Sequence, residues 1–234
     1  MTDRFNMRRF WAMLRHDYDH NVPSAWIGMP MAAFAAILFG EIGFMMSGYS
    51  INPGSFADTF YVVLASFFIL SMVLMATFMF DKMSGRYGQI SYLTLPATNL
   101  EKFLVNLLET VVSTIVFFII GMVLADAARI GLCMTLFNKP LFQTMLLPQI
   151  FVEKVVPLGV IALWLQSVTM IGSALWRRKV LVKSLALLFV VVAAAILVNG
   201  ICNPSLTTTN IILTPLTLAN YVLTYKIFVK TQLK

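Results

Sequence analysis

Apolar residues along this chain gather into long runs with few charges, separated by short polar stretches. Each run is close to the ~20 residues that a helix rising about 1.5 Å per residue needs to cross a hydrocarbon layer. The pattern predicts an all-α membrane protein with six transmembrane helices, over residues 26–47, 56–80, 103–125, 155–176, 184–202 and 211–228. Pro30 and Pro157 fall in the first turns of the first and fourth runs, where a missing amide proton leaves no helical bond unmade. Pro215 lies inside the sixth. A kink is expected there, with Thr214 and Thr217 near enough to satisfy freed backbone groups.

Ahead of the first run, residues 1–24 are polar and hold Arg4, Arg8, Arg9 and Arg15. The apolar run that follows is longer than the core of a signal peptide and lacks a small-residue cleavage site. Met7, Phe10, Trp11, Leu14 and Tyr18 recur at helical spacing, with Arg8, Arg9, Arg15, His16 and Asp19 on the other side, so an amphipathic helix lying on a membrane face is expected. It serves either as an interfacial anchor or as a lever joined to the first span.

The main polar interruption in the first half is 81–103, DKMSGRYGQISYLTLPATNLEKF. It contains the turn-prone Ser84-Gly85-Arg86-Tyr87-Gly88, then Pro96, and then Thr98-Asn99-Leu100-Glu101. The last four form a capping box, in which the Thr hydroxyl and Glu carboxylate take the free amides of a new helix. A helix restart near Thr98 would leave 84–95 as a short, partly apolar surface element shaped to be gripped by a soluble partner. A second long connection, 126–153, contains LFNKPLFQTMLLPQIF, which is too apolar for a free loop and suits a segment lying in the outer interface or re-entering the membrane.

Composition agrees with this map. The chain has 234 residues, 59% hydrophobic and only 12% charged, with a mean hydropathy of +0.85, too little polar surface to cover a soluble globule. The formal charge of +7 has its cause in the loops rather than in a nucleic-acid surface. Of the seventeen Lys and Arg, only Arg129, Lys139 and Lys154 fall in the connections opposite the amino terminus. That bias puts both termini in the cytoplasm of a cell-membrane protein.

The chemistry of catalysis is sparse. No P-loop is present, both histidines (His16 and His20) lie in the amino-terminal segment, and there are two cysteines, so neither a zinc site of four thiolates nor a buried Ser/His pair is available. No enzyme activity, cofactor or metal is expected of this chain. Cys133 and Cys202 are both expected at the outer face, where a disulfide between them is open. Charges inside a membrane are costly, which singles out Glu41 and Glu109. Glu109 shares a helical face with Asn106 and Ser113. These four residues either line a translocation path or are satisfied by neighbouring helices and the interface. Gln166, Ser167 and Thr169, with Asn220 and Thr224, are expected to bond between helices.

The loop RYGQISYLTLPATNLEKFL, the sequence GSALWRRKVLVKSL after the fourth run and the terminal YKIFVKTQLK resemble the permease subunits of type-2 ABC transporters, in particular small bacterial forms with an LPA[ST]xxEKF signature. The resemblance covers essentially the whole chain. It implies an exporter built as a homodimer or heterodimer of six-span halves in the lipid bilayer, with a separate ATPase subunit as partner. Residues 1–24 would be the elbow helix. The loop 81–103 would be the coupling element, with Gly85, Arg86, Tyr87, Gly88, Tyr92, Leu95, Pro96, Glu101 and Lys102 engaging the ATPase. One departure is plain: re-entrant helices in that family often join spans five and six, whereas here the long outer connection follows span three. Two other classes stay open. A proton-coupled secondary transporter would need Glu41 or Glu109 as carrier, and a membrane scaffold or assembly protein would bind no ATPase.

Overall fold

In the computed structural model, residues 5–21, 53–80, 94–136, 156–176, 180–202 and 205–232 are described. The expected first span and most of the coupling loop lie outside them. The described residues are helical throughout their ordered elements, with no strand among them. In chain order these are α1 (Met7–Asn21), α2 (Pro53–Phe78), α3 (Asn99–Leu107), a π-helical stretch (Leu108–Ser113), α4 (Thr114–Leu136), α5 (Val156–Leu175), α6 (Val180–Cys202) and α7 (Leu206–Gln232). Four segments, Asn99–Gly121, Pro157–Leu175, Val180–Val198 and Thr207–Lys230, are long and apolar enough to cross a membrane.

The restart after the polar loop follows the expected chemistry. Thr98 is extended, its side chain accepts the Glu101 amide, and the Glu101 carboxylate accepts the Thr98 amide, which completes the capping box. Ser205 does similar work for α7, its hydroxyl accepting the Thr208 amide at 3.2 Å. That start is earlier than expected, and α6 too begins before Ser184.

Two sequence expectations need correction. The connection 126–153 is not all loop, because α4 continues to Leu136. Asp126 and Arg129 look like a helix end when charge is taken to mark the membrane boundary. A helix rich in Ala and Leu can nonetheless run on past the hydrocarbon at no propensity cost. α7 runs through Pro215, and the threonines beside it do not serve as expected. Proline frees the Ile211 carbonyl, but the Thr214 and Thr217 hydroxyls donate instead to Asn210 and Leu213.

α5 is the central helix, packed on α2, α6 and α7. Its contact with α6 depends on Gly172, where an added Cβ would sit 2.7 Å from Ser184 Oγ and 3.0 Å from Ser184 Cα. Beyond that crossing α6 is largely uncovered, with Phe189, Val190, Ile196, Leu197 and Val198 exposed, as suits a helix with hydrocarbon for solvent.

The apolar core lies at one end of the bundle. It joins Phe10 and Met13 of α1, Ala76, Met79 and Phe80 at the end of α2, Phe103 and Val105 of α3, Met170 and Ala174 of α5, and Phe228 of α7. Phe228 stacks on Phe80 at 5.2 Å between ring centroids, and Phe103 meets Tyr225 edge-on at 5.3 Å. α1 enters this core by a face rotated from the expected one. Phe10, Met13 and Asp17 are buried, whereas Met7 and Trp11 are each 58% exposed. The outward pair keeps an apolar stripe beside the exposed Arg8 and Arg15, the pattern of an interfacial helix.

Candidate functional site

Two groups of polar residues are built into this bundle, one at its core end and one half-way along the helices. The first centres on Glu101. Its side chain is fully buried, and its two oxygens divide the work. Oε2 accepts the Thr98 amide at 2.8 Å, while Oε1 accepts the Asn6 amide at 2.7 Å and Arg9 Nη2 at 3.1 Å. One carboxylate therefore caps α3 and holds the start of α1 against it. An acceptor with three charge-assisted bonds is a strong and directional tie, and its bond to Arg9 is a salt bridge.

The surrounding residues make the tie part of a rigid base. Leu95 and Ala97 pack against the basal core, and the Ala97 amide bonds the Leu95 carbonyl at 2.8 Å across Pro96. Of the expected coupling residues, Leu95 is half-buried and Pro96 exposed, while Glu101 and Lys102 are buried. The last two present no surface to a soluble partner; Glu101 acts within the chain. Gly85, Arg86, Tyr87, Gly88 and Tyr92 lie outside the described residues. The capping box was readable from sequence, but Asn6 and Arg9, more than ninety positions away, carry no local signal that would pair them with it.

The second group begins on α3 and the π-helical stretch. Asn106 and Glu109 are buried, as expected of a polar stripe, but Ser113 is only half-buried, and Thr110 and Thr114 take places inside. Each of those threonines donates to the carbonyl four residues back, Thr110 to Asn106 at 2.8 Å and Thr114 to Thr110 at 2.6 Å. The four-residue spacing Asn106-Thr110-Thr114 was the available signal. Glu109 lies near the middle of Asn99–Gly121, in a π-helical element of a kind often found at functional sites. Glu41 is outside the described residues, as are the side chains of Cys133 and Cys202.

Half-way along α5 and α7 a further polar layer forms. Asn220 donates through Nδ2 to Ser167 Oγ at 2.9 Å, an interhelical bond of the expected kind. Thr169 and Thr224 bond instead to carbonyls of their own helices, and Gln166 lies fully buried between Pro157 and Leu175, equidistant from both. Among the described residues, no three His, Cys, Asp or Glu side chains gather where a metal ion could be held. The arrangement offers polar contacts deep in an apolar bundle and a stiff base under it. No protein-family model, curated protein or solved structure matches this chain.

Proposed function

We propose that this chain is the membrane-spanning permease subunit of an ATP-driven transporter, with six spans, both termini in the cytoplasm and the loop 81–103 facing a separate ATPase. The reading rests on the resemblance in the loop and terminal sequences, which also favours export, and on one structural observation. Glu101 ties the amino-terminal helix and the end of the coupling loop to the same aromatic core that receives α2, α5 and α7. A push on the loop would then move several helices as one body, which is what coupling to an external motor requires. The chain supplies a path and the partner supplies the work.

Affinity purification of the full chain in mild detergent tests this. A nucleotide-binding subunit should co-purify and be lost when Arg86, Tyr92 and Leu95 are changed together. Recovery of the chain with no such subunit, from cells that retain the transport phenotype, would refute the reading.

Glu109 supports a second reading. A carboxylate buried near the middle of an apolar segment and set in a π-helical turn is suited to carry protons in a secondary transporter. In that case Glu109→Gln abolishes transport by the chain alone in proteoliposomes with an imposed pH gradient, whereas under the ATP-driven reading no gradient-driven transport occurs to be abolished.

A further inference from the structure

The polar side chains in the layer between α5 and α7 are unequally served. Ser167 donates to the Trp164 carbonyl at 2.7 Å and accepts from Asn220. Thr169 and Ser173 donate to carbonyls of α5, and Thr224 to one of α7. Gln166 differs. Its side chain is fully buried, yet neither its carbonyl oxygen nor its amide nitrogen has a hydrogen-bond partner. The Tyr221 hydroxyl is likewise without one. Gln166 stands on α5 and Tyr221 on α7, the two helices that the Ser167–Asn220 bond joins.

An amide stripped of water with nothing in return is among the least favourable groups to bury, and a leucine would fill a similar volume without that cost. Buried groups of this kind usually meet water or a ligand in the working protein. The chemistry of the pair narrows the ligand. An amide offers both donor and acceptor, a phenol offers either, and neither carries charge at neutral pH.

We propose that the unserved groups of Gln166 and of Tyr221 each meet an uncharged hydrogen-bonding group within the bundle, a hydroxyl or amide, supplied either by water or by a polar solute. As a solute contact it deepens the permease reading. The measurements below use the isolated full chain, so failure here is distinct from failure to recruit an ATPase.

The test uses the full chain in lipid nanodiscs, with 15N-labelled glutamine side chains and Gln166→Leu to identify the Gln166 signal. Gln166→Leu and Tyr221→Phe should leave the thermal midpoint unchanged or raise it by roughly 2–4 °C, while Asn220→Leu lowers it. Exchange of the Gln166 amide with D2O within minutes identifies water as the occupant. A shift of its signal on titration with N-methylacetamide identifies a small amide solute. A loss of midpoint in Gln166→Leu as large as in Asn220→Leu would show structural glue and overturn the proposal, as would an amide both protected from D2O and unresponsive to the probe.

Discussion

Replacing Glu101 with alanine removes one side chain from three partners at once. The Thr98 amide loses its half of the capping box, the Asn6 amide loses an acceptor at 2.7 Å, and the Arg9 guanidinium loses its ion pair. Loss of a helix cap costs about 0.5–2 kcal/mol, and the part-buried bond from the Asn6 amide to a charged acceptor is worth about 1.5–3 kcal/mol at most. The Arg9 side chain is 33% exposed, so solvent screening keeps its share below about 1 kcal/mol. The three effects overlap, because all share one carboxylate, and a total of about 2–4 kcal/mol is expected. For a chain of this size that corresponds to a drop in thermal midpoint on the order of 5–10 °C. Glu101→Gln should fall between native and Glu101→Ala, because whichever way the amide is placed its NH2 faces a donor. Arg9→Ala should be the mildest. The assay is thermal unfolding of the purified full chain in one detergent, paired with limited proteolysis between α1 and the first apolar run, which should quicken in the same order. A Glu101→Ala midpoint within 1 °C of native, or Arg9→Ala the worst of the three, would refute the assignment of Glu101 as the tie.

Phe228→Ala should cost about 3–5 kcal/mol, since its ring is buried against Phe80 and Phe103; a chain that purifies with unchanged stability would argue against this core. Gly172→Ala forces a methyl to 2.9 Å from Ser184 Cβ and 3.0 Å from its Cα, so a loss of about 1–3 kcal/mol is expected. Adding Ser184→Gly should recover only part of it, because the backbone contact persists, as a double-mutant cycle of unfolding midpoints will record. Met13→Ala should lower the midpoint by several degrees and Met7→Ala hardly at all, and the reverse order would restore the face of α1 that periodicity favours.

The elements most legible in the sequence are those whose cause is local. Thr98 and Glu101 are three residues apart, so the box could be read directly, and length with apolarity located the segments around α3, α5, α6 and α7. α1 was half legible. Its periodic residues form one broad apolar arc, and periodicity cannot choose between the part facing protein and the part facing lipid when both neighbours are apolar. Periodicity sets Trp11 with Phe10, yet the two part company at the bundle surface, and it leaves out Met13 and Asp17, which are buried. Charge misled at Asp126 and Arg129, because a helix need not end where the hydrocarbon does. The join of Asn6 and Arg9 to Glu101 was out of reach, since it depends on how distant segments meet.

The π-helical stretch has a consequence for helix phase. Residues four apart advance about 40° beyond a full circle on an α-helix, so Asn106, Thr110, Thr114 and Phe118 would spiral away from one another in an unbroken α-helix. All four are instead buried. The wider turn over 108–113 winds the spiral back, and a straight column results. Rewinding that stretch as a regular α-helix with every residue kept would swing each side chain after it by about 100°, carrying the Thr114 hydroxyl and Phe118 away from the places they now hold.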